Sequence, residues 1–107
     1  MYKTIKIGGR EVELAANAAT PFRFKNTFHK DLFSVFANES KAEEEGFEAV
    51  MQLAFIMAKQ AEKADMNKLN EEEFIAWLEG FGPMDFAESA EDILNAYTGS
   101  TISSAQP

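Results

Sequence analysis

Histidine and carboxylate side chains are the groups of this chain best suited to acid–base chemistry, and the sequence has one histidine and 18 acidic residues. A catalytic triad needs three partners placed around one another, and His29 has no serine or cysteine nucleophile motif to join it. Many of the acids occur in runs, Glu43–Glu45 and Glu71–Glu73, which are typical of a solvated helix face or a helix N-terminus. These residues predict that the chain is not an enzyme.

A calcium-binding loop is the metal site that comes nearest to fitting the sequence, and it begins at Asp65. In that register Asn67 is an acceptable third ligand. Leu69 then stands at the fifth position, Asn70 replaces the turn glycine, and Ala76 replaces the bidentate glutamate. The chain also has no cysteine, which excludes thiolate metal sites, disulfides and cysteine nucleophiles. We therefore predict no metal and no cofactor, and we interpret Asn70 as a helix cap.

The charge balance restricts the class of partner. The chain has 18 acidic and 10 basic residues and a formal net charge of −8. Nucleic acids and anionic membrane surfaces are bound through Lys and Arg, so this balance disfavours both. No apolar run is long enough to span a membrane, and the N-terminus lacks the apolar core of a signal peptide. We expect a protein partner and a cytoplasmic location.

The N-terminal residues have the alternating pattern of a β-hairpin over 2–14. The two-residue turn is Gly8-Gly9, a pair that accepts the positive φ angles of tight hairpin turns. In this register Ile5 lies opposite Val12, with the apolar side chains on one face. Two strands alone are marginal in water, so the hairpin must pack on an apolar surface.

Helical spacing of apolar residues follows in four stretches, about 21–37, 46–64, 71–80 and 86–98. Thr20 is the expected N-terminal cap of the first, and Gly99 the expected C-terminal cap of the last. Residues 38–45 are polar and predict a solvated loop or a frayed helix start. The fold class is thus α+β, mainly α: residues 1–99 form one domain, a hairpin packed on about four helices, and 100–107 form a mobile polar tail.

Apolar side chains exceed what one neighbour per helix would bury, and ten of them are phenylalanines. Phe22 and Phe33 lie at the edge of the first helical stripe, and Leu53 and Ile56 lie off the main face of the second. Each of these residues can instead fill the core, because aromatic and aliphatic side chains dominate cores and interfaces alike. We predict that the four together form an exposed patch that binds an apolar partner helix.

Five segments of the chain together resemble one known family: Thr4–Val12, Ala19–Lys25, Phe28–Leu32, Met51–Ala61 and Trp77-Leu78. They are similar to the tail assembly chaperones of long-tailed phages and prophages of Gram-positive bacteria. The resemblance implies a non-enzymatic protein of the host bacterial cytoplasm, absent from the mature virion. Its client would be the long, helical tape measure protein, which it would bind and keep soluble during tail assembly.

The resemblance also implies further partners. These are tail tube subunits recruited around the client, and a longer form of the chaperone itself, made by translational frameshifting near the end of the gene. An apolar patch without its client can also pair with a second copy of the chain.

Two other functions remain open on the sequence. A small phage or bacterial regulatory adaptor would bind a protein partner without any role in assembly. A structural tail or head-completion protein would be found in purified virions.

Overall fold

The N-terminal hairpin packs on a group of helices, and the predicted α+β, mainly α, fold class is confirmed. The computed structural model describes residues 2–99, so the predicted tail at 100–107 lies outside the described residues. The elements are β1 (Tyr2–Ile7), β2 (Arg10–Ala15), α1 (Thr20–Phe28), α2 (Leu32–Ala37), α3 (Glu39–Ala61), α4 (Glu71–Leu78) and α5 (Asp85–Thr98). A short 3₁₀ turn, Met66–Lys68, joins α3 to α4. Within residues 2–99, four helices have eight or more residues, in agreement with the predicted number.

The two strands pair antiparallel in the predicted register. Ile5 lies opposite Val12, and the turn residues Gly8 and Gly9 have φ angles of 61° and 82°. Ile5, Ile7 and Leu14 share one face of the hairpin and are buried, and Ala15, on the other face at the end of β2, is buried as well. Strands β1 and β2 thus place one apolar face on α3 and α5, which supplies the burial that an isolated hairpin lacks.

The turn glycines give a matched pair of substitutions. We expect Gly8→Ala to lower the free energy of unfolding by about 1–2 kcal/mol more than Gly9→Ala, although both place alanine at positive φ. A Cβ at Gly8 overlaps the Asp85 carboxylate, whereas a Cβ at Gly9 meets nothing within 4 Å. Moving Asp85 breaks its 2.7 Å hydrogen bond from the Gly82 N–H. Urea unfolding of both variants measures the difference. Its persistence in an Asp85→Ala background would contradict this explanation.

The predicted single helix over 21–37 is wrong, because the chain breaks it into α1 and α2. His29 has φ 59° and ends α1 in a left-handed conformation, with its N–H donating to the Lys25 carbonyl. The Asp31 carboxylate then accepts a 3.0 Å hydrogen bond from the Phe33 N–H and caps α2. A short acidic side chain that bonds its own backbone two residues on competes with a continuing helix.

Of the two alternatives for the polar stretch 38–45, the helix start agrees with the structure and the loop is wrong. The helix predicted over 46–64 is α3, which runs from Glu39 to Ala61. The Asn38 side chain accepts a hydrogen bond from the Lys41 N–H and caps the helix, which begins at Glu39. Polarity in this stretch reflects the exposure of the first turns of α3, most of whose side chains contact solvent.

The other predicted caps have mixed outcomes. Asn70 caps α4 by accepting from the Glu73 N–H at 2.9 Å, and Gly99 ends α5 with φ 63°, both as predicted. The predicted Thr20 cap of α1 is wrong. The Thr20 hydroxyl is fully buried and accepts from the Asn17 N–H, which stabilises the connector before the helix.

Helix α3 is the centre of the fold. It is contacted by β2, α1, α2, α4 and α5, and its residues 52–58 are all buried. Beside it, aromatic rings lie 5.0–6.1 Å from their neighbours in a continuous cluster. The members of this aromatic cluster are Phe24, Phe28, Phe55, Phe74, Trp77, Phe81 and Phe86. Many of the aromatic residues therefore fill the core.

Two glutamine side chains of α3, Gln52 and Gln60, have a buried oxygen without a hydrogen bond in the described part of the chain, and Gln52 is the more buried of the two. Gln52 is 1% exposed, and its side-chain oxygen accepts no hydrogen bond from any residue between 2 and 99. An unpaired buried acceptor costs about 1–3 kcal/mol, so we expect Gln52→Met to raise the free energy of unfolding by about 1 kcal/mol. Gln60→Met is the matched control. The Gln60 side-chain oxygen is also buried without a hydrogen bond from the described residues, but its amide donates a 3.1 Å bond to the buried Ala15 carbonyl, so its replacement should not stabilise. Urea unfolding tests both, and a loss of stability in Gln52→Met would refute this account.

Candidate functional site

An apolar groove runs between α2 and the C-terminal half of α5. Its volume is about 520 Å³. The lining side chains are Leu32, Phe33, Phe36, Ala37, Leu94, Tyr97 and Thr98. Most of these groups are apolar, and Phe33 and Phe36 are exposed to solvent, so the groove can accept an apolar surface from another molecule.

The short helix α2 forms one wall of the groove. It buries Leu32 and Val35 against α3, while Phe33 is 67% exposed and Phe36 is 37% exposed. Which side chains are buried and which are exposed depends on where α2 begins. The Asp31 cap fixes that start, and so fixes which residues of the helix face the core. Two phenylalanines therefore remain on the outer side of a helix whose inner side is already filled.

Helix α5 forms the other wall. Its core side buries Phe86, Ile93 and Ala96, and Leu94 and Tyr97 follow on the adjacent side, towards α2. Burial raises the pKa of the Tyr97 phenol above its ordinary value of 10.0. A tyrosine is neutral at physiological pH even at its ordinary pKa, so this wall presents an uncharged aromatic side chain.

The structure separates the four residues that the sequence predicted as a binding patch. Phe33 lies in the groove. Phe22 is 71% exposed but lies on α1, beside Lys25, Asn26 and His29 in a different depression. The exposure of both phenylalanines agrees with the prediction, and their role in binding stays a prediction.

The exposure predicted for Leu53 and Ile56 is wrong. Both side chains are 0% exposed, because α3 is covered on every side of its central turns. Residues off the main apolar face of this helix contact a second neighbour instead of solvent. Neither side chain can touch a partner while the chain is folded.

Three groove residues escaped the sequence analysis. Phe36 falls at the same helical spacing as the buried Leu32, Tyr97 falls at the same helical spacing as the buried Ile93, and Leu94 lies next to Ile93. A large aliphatic residue next to a complete core face was the signal that could have identified Leu94. Nothing in the sequence indicates that it lies across a groove from Phe36.

Outside the groove, the described residues offer few sites suited to metal binding or to a polar ligand. Between residues 2 and 99, no three His, Cys, Asp or Glu side chains come together in a group that could hold a metal ion. No helix in this range is long and apolar enough to cross a membrane. A more polar depression, of about 200 Å³, is lined in part by Arg23, Gln60 and Lys63.

Comparison with known proteins adds no family to this geometry. No protein-family model, no curated protein and no solved structure matches the chain.

Proposed function

We propose that this chain is a tail assembly chaperone of a long-tailed phage or prophage, and that it binds the tape measure protein without catalysing a reaction. The observation that supports binding is the apolar groove, with Phe33 left exposed at its edge. Contiguous exposed apolar patches on a small domain mark interaction sites. The choice of client rests on the resemblance of the sequence to the chaperone family.

A helix of the client is the ligand that suits this groove. A helix docks in an apolar groove through residues at positions i, i+3 or i+4, and i+7, and the two walls offer aromatic and aliphatic partners for such a stripe. The groove is short, so one contact is weak. Many copies on one long client would bind through effective concentration instead.

In this proposal the protein acts in the host cytoplasm and leaves before the virion is complete. Covering the apolar stripes of the tape measure protein would keep that client soluble while tail tube subunits are recruited around it. A longer frameshifted form would present the same groove.

The test is co-expression of the full chain with the tape measure protein, followed by a solubility assay and a pull-down. We expect the client to become soluble and to co-purify, and Phe33→Asp to abolish both effects. Phe22→Asp is the matched variant, because it places the same charge on an equally exposed phenylalanine outside the groove. It should retain most of the client.

Two outcomes would contradict the proposal. A client that stays insoluble beside a folded partner would favour the regulatory adaptor. Recovery of the chain in purified virions would favour the structural tail or head-completion protein.

A further inference from the structure

The groove lies between acidic elements of the molecule. Between Asp31 and Glu48, which covers α2 and the first half of α3, the chain has six acidic residues and one basic residue. Helix α5 has four acidic residues and no basic one. These two stretches together therefore have a charge of −9, against −8 for the whole chain. The remaining residues are close to neutral in sum, although α4 has an acidic run of its own, Glu71–Glu73. The elements that form and adjoin the groove thus carry a net negative charge.

On the α5 side, one carboxylate extends the groove-facing stripe. Glu91 lies one turn before Leu94 and two turns before Thr98, so the three share one side of the helix. Glu91 is exposed. A ligand lying along Leu94 and continuing towards the N-terminus of α5 would therefore pass this carboxylate.

On the α2 side, two carboxylates of α3 stand near Phe36. A Cβ at Gly46 would lie 4.0 Å from the Phe36 ring, so this side of α3 faces Phe36. Glu39 and Glu43 share that side of the helix with Gly46, at spacings of seven and three residues. Lys41 is the only basic residue between Glu39 and Glu43. It is two positions from each, so it lies on roughly the opposite side of the helix, about 160–200° away.

These carboxylates have no cationic partner within the described chain. The ion pairs between residues 2 and 99 are Lys30–Glu48 and Lys59–Glu62, at 3.0 and 3.5 Å. Glu39, Glu43 and Glu91 take part in neither. An apolar groove with unpaired acids near both walls is complementary to a ligand that is apolar in the middle and basic at the sides.

We propose that the groove binds a cationic amphipathic helix. The apolar stripe of this helix lies on Phe33, Phe36 and Leu94, and its flanking Lys and Arg side chains pair with Glu39, Glu43 and Glu91. The inference rests on the proposed function and specifies it: the client segments that the chaperone covers are those with basic residues beside the apolar stripe. The acidic elements also repel a second copy of the same chain, and so favour a client over self-association.

The probes are three synthetic helical peptides of about 20 residues with the same leucine stripe and Lys, Gln or Glu at the flanking positions. They are titrated against the full chain by fluorescence anisotropy. We expect the Lys peptide to bind about tenfold more tightly than the Gln peptide at low salt, because exposed ion pairs each contribute a small factor. The Glu peptide should bind most weakly, and high salt should remove the differences.

Variants of the chain locate the preference. The triple variant Glu39→Gln, Glu43→Gln, Glu91→Gln should bind the Lys and Gln peptides alike. The control Glu13→Gln, Glu72→Gln, Glu79→Gln makes the same change in net charge at exposed positions away from the groove and should keep most of the preference. Phe33→Gln, which adds no charge, should weaken binding of all three peptides.

The outcomes separate the two proposals. Equal binding of the three peptides, lost in Phe33→Gln, would overturn the inference about charge and leave the groove as a helix-binding site. A Lys preference unchanged in the groove triple variant would overturn it as well. Binding that Phe33→Gln leaves unaffected would overturn the groove itself, and the proposed function with it.

Discussion

Leu53→Asp should leave little folded protein. Leu53 is fully buried at the centre of α3, where apolar side chains surround it. Removing a buried leucine costs about 2–5 kcal/mol, and burying a carboxylate in its place costs several kcal/mol more. A domain of this size has a total stability of about 5–15 kcal/mol. Far-UV circular dichroism and urea unfolding measure the loss directly.

Phe33→Asp is the control for that result, and it should stay folded. The ring is 67% exposed, and the position is the second residue of α2, where a carboxylate interacts favourably with the helix dipole. We expect a change of less than about 1 kcal/mol in the free energy of unfolding. A folded Leu53→Asp protein with normal stability would contradict the central position of α3. It would also restore Leu53 as a candidate contact residue.

Helix α3 illustrates what the apolar pattern alone can and cannot predict. A helix that is apolar over most of its circumference is predicted to be central, and α3 is. The same pattern cannot distinguish a residue that meets solvent from one that meets a second neighbour. Leu53 and Ile56 lie off the main apolar face of α3, so the pattern alone places them at solvent. With five elements around α3, no side of its central turns remains open.

The break between α1 and α2 was hidden for a different reason. The apolar stripe continues across it, because Phe24 and Phe28 in α1 and Leu32 and Val35 in α2 all reach the core. Neither glycine nor proline marks the site. The left-handed residue is His29, which has a side chain and therefore gives no signal of its own in the sequence. Only the Asp31 cap could have been recognised.

The groove could be predicted only in part, since its two walls are far apart in the sequence. Exposure of Phe33 followed from its place at the edge of a helical stripe. The position of α2 beside α5 depends on tertiary packing, because each helix packs separately on α3. The groove is the space that remains between the two helices. The spacing of apolar residues predicts which face of each helix is apolar, but it does not predict how far apart two such faces lie in the fold.

Phe55→Ala should cause the largest loss of stability among the truncations of the aromatic cluster. The Phe55 ring is fully buried and lies 6.1, 5.5 and 5.6 Å from the rings of Phe28, Phe74 and Trp77. Truncating a buried phenylalanine costs about 3–5 kcal/mol through lost burial and the cavity left behind. Phe47→Ala, on the same helix but 47% exposed, should cost less than about 1 kcal/mol.

The single tryptophan makes this measurement specific, because Trp77 lies within the cluster and its fluorescence reports on the loss of packing there. Urea unfolding followed by this signal and by circular dichroism should give coincident transitions in Phe55→Ala, since Phe55 joins rings of α1, α3 and α4 in one cooperative unit. An earlier fluorescence transition would mean that α4 unfolds on its own.

The groove residues do not belong to the aromatic cluster, so the fraction of Phe55→Ala that remains folded should bind a client helix as well as the unmodified chain does. Weaker binding by that folded fraction would show instead that the core and the groove are energetically coupled.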